Sequence, residues 1–182
     1  MDTVKKIVLL GAESTGKSTL AAQLAQHFGT LWCPEFARTY LSMKSQIEQR
    51  AANQIVSVYD DIEPIAIGQL TMENSFGEQA KHLLFCDTNL LTNLIYSKYY
   101  FEKYPDWLVQ TIHERQYDLY LLLANDVAWV YDPLRDRPHA REALYHIFKD
   151  ALLARQQKFV EIKGLGAQRL DNAIGVIKDF LD

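Results

Sequence analysis

Eight residues, Gly11-Ala12-Glu13-Ser14-Thr15-Gly16-Lys17-Ser18, constrain this chain more than any other stretch. They follow a short apolar run, Lys5 to Leu10, and open a segment from Lys17 to Phe28 whose Leu20, Leu24 and Ala25 repeat at helical spacing. The pattern G-x-x-x-x-G-K-[ST] between a strand and a helix carries its own mechanism. Glycines let backbone N–H groups turn inward around phosphate oxygens, and the helix N-terminus adds partial positive charge. Lys17 is placed to reach the β- and γ-phosphates of a nucleotide and Ser18 to offer its hydroxyl to Mg²⁺, with Glu13, Ser14 and Thr15 in the loop and Thr19 toward the α-phosphate. Residue usage gives a chance match of roughly 1% in a chain of this length, and the correct flanks lower it further.

The rest of the chain repeats the alternation. Leu31 to Cys33 reads as a second strand, Pro34 to about Met43 as a helix, and Ile65 to Gln79 as another helix after the Asp60 to Pro64 turn. His82 to Cys86 reads as a buried strand ending at Asp87, followed by helical periods over Asn89 to Tyr100 and Trp107 to Arg115 with a Tyr104-Pro105-Asp106 break. Leu119 to Leu123 is an unbroken apolar run of the kind buried in a parallel sheet. A polar segment, Asn125 to Arg137, precedes a helix from Pro138 to about Gln156, a strand from Lys158 to Ile162 and a closing helix from Ala167 to Leu181. The expectation is an α/β three-layer sandwich of the P-loop NTPase kind, with a five-stranded parallel sheet and right-handed crossovers, in one domain over residues 1–182. Its ligand crevice then gathers the Gly11 loop, Cys33 to Arg38, Asp87 to Asn89 and the segment after Leu123.

Composition narrows the class. The 182 residues are 48% hydrophobic and 23% charged, which fits a folded domain and excludes collagen-like, disordered and disulfide-scaffold chains. A net charge of -4 has the wrong sign for a protein that holds nucleic acid through its phosphates. No apolar run reaches the roughly 18–20 residues a bilayer crossing needs, so no membrane or nucleic-acid partner is expected and the expected location is the cytoplasm. Cys33 and Cys86 lack metal-ligand spacing and read as buried reduced thiols. Homo-oligomerisation is left open.

A phosphate loop names a donor, not a reaction, so the acidic and basic partners decide. Asp87 ends an apolar strand as a Walker B acid does, placed to serve Mg²⁺ or to take a proton from an attacking hydroxyl; capping the next helix, with Thr88, is the alternative. Arg135, Arg137 and Arg141 crowd a segment around residues 126–141 that reads as a lid, with Arg135 and then Arg137 the candidates to neutralise the transferring phosphoryl group. The alternative is surface pairing with Asp132, Asp136 and Glu142. Glu35 and Arg38 face the crevice one helical turn apart, either toward substrate or as a mutual ion pair. Trp129 and Tyr131 are candidates to stack on a flat ring, or to pack in the core. No Asn-Lys-x-Asp motif follows the late strand, which argues against a guanine-specific switch.

Taken together, Gly11 to Thr19, Pro34-Glu35-Phe36-Ala37-Arg38, Ile67-Gly68-Gln69, Phe85-Cys86-Asp87-Thr88-Asn89 and Trp129-Val130-Tyr131-Asp132-Pro133-Leu134-Arg135 resemble, in order and over nearly the whole chain, the ribosylnicotinamide kinase domain of NadR-type proteins. The resemblance implies ATP-dependent phosphorylation of the ribose 5′-hydroxyl of nicotinamide riboside. It puts Glu35, Asp87, Trp129 and Asp132 on the nucleoside side and makes Arg135 the lid arginine. The chain departs from the family pattern at Asn89, where a second acid is common, which places Asn89 among the substrate-choosing candidates. In 182 residues, neither the DNA-binding nor the adenylyltransferase module of full NadR proteins is expected. A kinase for another nucleoside or a thiamine-like alcohol, and a regulatory ATPase acting on a protein, are the competing readings.

Overall fold

The computed structural model describes residues 4–132 and 138–182. Five strands, β1 (Lys5–Leu10), β2 (Leu31–Cys33), β3 (Leu83–Asp87), β4 (Leu119–Leu123) and β5 (Phe159–Ile162), form one parallel sheet in the order β2-β3-β1-β4-β5. β1 is central, with the earlier pair on one side and the later pair on the other. Register places Leu9 opposite both Asp87 and Leu121, so the acid ending β3 lies beside the start of the glycine loop. This reversal of strand order opens the crevice in which α/β sheets bind ligands.

Helices cover both faces because the strands are apolar on both. Ile7 and Leu9 of β1 point into a core with α1 (Lys17–Phe28) and α7 (Gly166–Leu181). Val8 and Leu10 point the other way, into a core with α4 (Leu90–Phe101), α5 (Asp106–Glu114) and α6 (Arg141–Ala154). Each fully buried aliphatic side chain contributes about 1.5–3 kcal/mol over its exposed state, and period-two alternation then fixes which residue meets which layer. The three-layer architecture is the one expected from the sequence.

Departures from the expected boundaries have local causes. The second helix, α2 (Phe36–Glu48), starts two residues after Pro34 and outruns Met43, since it buries no residue and leaves little apolar period to read. The third, α3 (Ile62–Gln79), begins before Ile65 and carries Pro64 in its first turn, where a missing N–H costs no helical bond. Single 3₁₀ turns at Ala52–Gln54 and Tyr59–Asp61 join α2 to α3, and another at Pro138–Ala140 precedes α6, which stops at Ala154. Among the described residues no helix is long and apolar enough to cross a membrane.

One close approach fixes α2. Gly68 on α3 lets the Phe36 ring sit against the helix backbone: a Cβ there would lie 2.0 Å from Cε1 of Phe36. The neighbouring Gln69, 1% exposed, accepts the Phe36 backbone N–H at 2.8 Å through Oε1 and donates through Nε2 to Cys33 Sγ. A glycine and a buried amide thus set the angle at which Glu35 and Arg38 leave β2.

Candidate active site

The glycine loop runs from the end of β1 into α1 with Gly16 at φ +82°, the left-handed conformation that only glycine adopts without strain. Ser14 is also left-handed, at φ +56°. Thr15 donates to Ala12 O at 2.8 Å, and Lys17 Nζ lies over the loop, donating to Gly11 O and Ala12 O at 2.9 Å each. Ser18 Oγ donates to Asp87 Oδ2 at 2.5 Å. A hydroxyl from the first turn of α1 and a buried carboxylate from the end of β3 therefore meet where the sequence leads one to expect a magnesium site, and both are the hard oxygen donors that ion takes.

Asp87 is 1% exposed and is followed by Thr88 at φ +68°, a strained residue of the kind that collects at functional sites. The capping role belongs to neither of them. Asn89 is the N-cap of α4: its Oδ1 accepts the Leu91 N–H at 3.1 Å, and its Nδ2 donates to the Tyr120 hydroxyl at 3.2 Å. With both ends of its amide used and 1% of its surface exposed, Asn89 is committed inside the protein beneath the crevice. Burial holds the Tyr120 phenol above its ordinary pKa despite that bond, so this contact stays neutral.

Two cavities meet at the loop. One, of about 490 Å³, lies between Ser14, Gly16, Lys17, Ser18 and Thr19 on one side and Val127, Ala128, Val130, Tyr131 and Asp132 on the other. Two clasps span it. Ser14 Oγ accepts the Val130 N–H at 2.9 Å, and Arg38 donates to Asp132 Oδ2 at 2.5 Å. Arg38 therefore pairs with Asp132 across the crevice, and this hydrogen bond raises its pKa while partial burial opposes.

The other cavity, of about 380 Å³, is lined by Glu13, Lys17, Glu35, Arg38, Asn53 of the first 3₁₀ turn, Ile55, Val56 and Ser57 after it, and Asn93, Tyr96, Tyr100 and Phe101 of α4. Tyr96 and Tyr100 stack at 5.7 Å between ring centroids and 7° between planes. The volume suits a nucleoside-sized ligand. Acids and aromatic faces together favour a cationic, flat group. Lys17 and Arg38 line both cavities.

The structure thus brings Gly16, Lys17, Ser18, Thr19, Glu35, Arg38 and Asp132 to the walls of the two cavities, with Asp87 buried behind Ser18 and lining neither. Trp129 is partly buried and lines neither cavity; the aromatic walls come from α4 instead. Arg135 and Arg137 lie outside the described residues, while Arg141 donates to Val127 O at 3.0 Å and so braces the segment entering them. Sequence reasoning missed Asn53, Ile55, Val56, Ser57, Asn93, Tyr96 and Tyr100. Only the i, i+4 spacing of the last two aromatics on α4 offered a signal, and it equally describes core packing.

Residues 6–169 match the protein family described as the AAA domain. This chain belongs to that family. The AAA-domain chain is also homologous to NadR. It is 29% identical over 162 residues to the trifunctional NAD biosynthesis/regulator protein NadR of Salmonella typhimurium, covering 88% of this chain and 38% of that one. Its fold matches a NadR protein solved in complex with NR, with a TM-score of 0.82 and 20% identity over 98% of this chain and 51% of that one. A NadR protein solved with NAD and AMP-PNP gives a TM-score of 0.80 at 20% identity over 98% of this chain and 49% of that one. The AAA-domain chain therefore spans about half, or less, of the length of these relatives.

Proposed function

We propose that the protein is an ATP-dependent kinase that phosphorylates the 5′-hydroxyl of nicotinamide riboside, giving nicotinamide mononucleotide and ADP. The observation that carries this reading is the pair of cavities sharing Lys17 and Arg38, one walled by the phosphate loop and one by acids and aromatic rings. A hydrolase acting on water alone has no use for the second. The NR bound by a NadR relative of the same fold supports the choice of acceptor, as does the match between a pyridinium and a pocket of Glu13, Glu35, Tyr96 and Tyr100.

In this reading the loop amides and Lys17 hold the β- and γ-phosphates, while the aromatic cavity aims the riboside hydroxyl at the γ-phosphorus. A bond forms between the acceptor oxygen and phosphorus as the bond to the ADP bridging oxygen breaks. The hydroxyl proton leaves through Asp87, the buried carboxylate at the end of β3. Ser18 and Asp87 would hold Mg²⁺, whose charge offsets that of the phosphates when it is bound. Arg135 and Arg137 remain the candidates, from sequence, to neutralise the transferring group.

The test is ADP release with ATP and Mg²⁺, alone and with nicotinamide riboside, other nucleosides and thiamine, with the phosphorylated product identified by mass. Mononucleotide formed from nicotinamide riboside supports the reading. Steady ADP release without a phosphorylated acceptor, or turnover of another alcohol alone, overturns it.

A further inference from the structure

Behind the phosphate loop lies a buried arginine that lines neither cavity. Arg169 of α7 is 5% exposed, and its donors converge on the loops that follow three different strands. Nε donates to Gly164 O at 2.7 Å after β5, Nη1 to Thr15 O at 2.5 Å in the loop after β1, and Nη2 to Ala124 O at 3.3 Å and to the Asp126 carboxylate after β4. The other Asp126 oxygen accepts the Gly164 N–H at 2.7 Å. Nη1 lies 4.0 Å from where a Cβ on Gly16 would stand, so the cation sits directly behind the turn that bounds the cavity.

We propose that Arg169 is a positioning residue for the phosphate donor, holding the Thr15–Gly16 turn in register with the β4 loop that leads to Val127, Val130 and Asp132. Both walls of the 490 Å³ cavity are then set by one planar fork. A guanidinium suits this task because its donors diverge in a fixed plane and reach carbonyls on separate loops, whereas an ammonium on a flexible stem cannot span them. Burial lowers its pKa from the ordinary arginine value and Asp126 opposes, which keeps the cation paired. The role goes beyond substrate contact: Arg169 acts through the Thr15 carbonyl and the Asp126 link. The inference rests on the kinase reading only for its consequence on turnover.

Arg169→Lys, compared with the core truncation Leu152→Ala on α6, separates positioning from general stability. Arg169→Lys should raise the ADP Kd and the ATP KM roughly tenfold to a hundredfold, with the acceptor KM within about twofold. Leu152→Ala should lower the thermal midpoint and leave the ADP Kd unchanged. Added ethylguanidinium should restore part of the ADP affinity of Arg169→Ala. If that variant does not fold, Asp126→Asn carries the test and should raise the ADP Kd severalfold. Wild-type ADP affinity in Arg169→Lys or in Asp126→Asn overturns the proposal. Because ADP binding is read without an acceptor, a wild-type protein that binds ADP but phosphorylates no riboside refutes the kinase reading and leaves the Arg169 result interpretable.

Discussion

Gly68→Ala tests whether the angle of α2 is set by one missing methyl. The added carbon would sit 2.0, 2.3 and 2.4 Å from Cε1, Cδ1 and Cζ of Phe36, against an optimum of about 3.5–4.0 Å between carbons. Turning the ring about its Cβ–Cγ axis swings Cε1 and Cδ1 aside but leaves Cζ, which lies on that axis, at 2.4 Å, so the ring must move away by about 1 Å or more. Overpacking of this kind costs about 1–3 kcal/mol, and the better helix propensity of alanine returns about 1 kcal/mol. The net loss of up to about 2 kcal/mol should lower the thermal midpoint by up to about 8 °C for a domain of this size. The displaced ring also pulls on the Phe36 N–H held by Gln69, between Glu35 and Arg38, so the acceptor KM should rise while the ATP KM stays near wild type. The sign reverses in a Phe36→Ala background: with the ring gone, Gly68→Ala should stabilise by about 1 kcal/mol. Equal destabilisation in both backgrounds, read by thermal unfolding, would refute the argument.

Three further outcomes follow from the same geometry. Asp87→Asn removes the carboxylate that the proposed mechanism makes the proton acceptor yet keeps the shape beside Ser18, so phosphorylation should fall by about 10²–10⁴ while ADP binding, measured calorimetrically, persists. Asp132→Asn weakens the partly exposed clasp with Arg38, whose contribution of about 1 kcal/mol or less limits the rise in either KM to about fivefold in steady-state kinetics. Burial pushes the Asp61 carboxyl up, but Lys44, the Val58 amide and Tyr40 together hold it below the ordinary value of 3.8. A depressed folded-state pKa means that this stabilisation is complete above about pH 4 and is lost as pH falls through the lowered value. Urea titrations across pH should therefore show the wild type and Lys44→Met converging in acid and separating above it.

Much of this was legible because the parts that set the fold are those with the plainest physics. A strand buried on both faces must be apolar throughout, so Leu119 to Leu123 announced itself with its observed ends. A loop that must curl around phosphate needs glycine at fixed positions, so Gly11 to Ser18 and its helix were readable together. Asn89 shows where reading stops. Its cap on Leu91 N is a local pattern, but its bond to Tyr120 depends on a partner 31 residues away, which no local pattern encodes. Arg169 was silent for the same reason, since its partners come from loops after β1, β4 and β5 and are mostly backbone carbonyls, indifferent to residue type. The buried Glu73, held by Lys6, Arg115 and Tyr117, is a further network assembled only by the fold.

The two cavities differ in how their walls are secured, and that difference bears on how acceptor choice is made. The donor side is braced from behind by Arg169 and by short turns whose geometry tolerates few residues, so it resists change in sequence. The other side is closed by Asn53 of the first 3₁₀ turn and by Ile55, Val56 and Ser57, which lead to the second and are held mainly through Lys44 and Asp61. Val56 and the adjoining Val58 are exposed, and α2 beside them has no fully buried residue, so few apolar contacts oppose substitution there. A wall fixed by one ion-paired anchor rather than by packing exchanges its lining residues at little cost to the core. On the proposed kinase reading, discrimination among acceptors therefore belongs to the α2–α3 connection and to Tyr96 and Tyr100, while Lys17, Ser18 and Asp87 serve the same transfer whichever hydroxyl is presented.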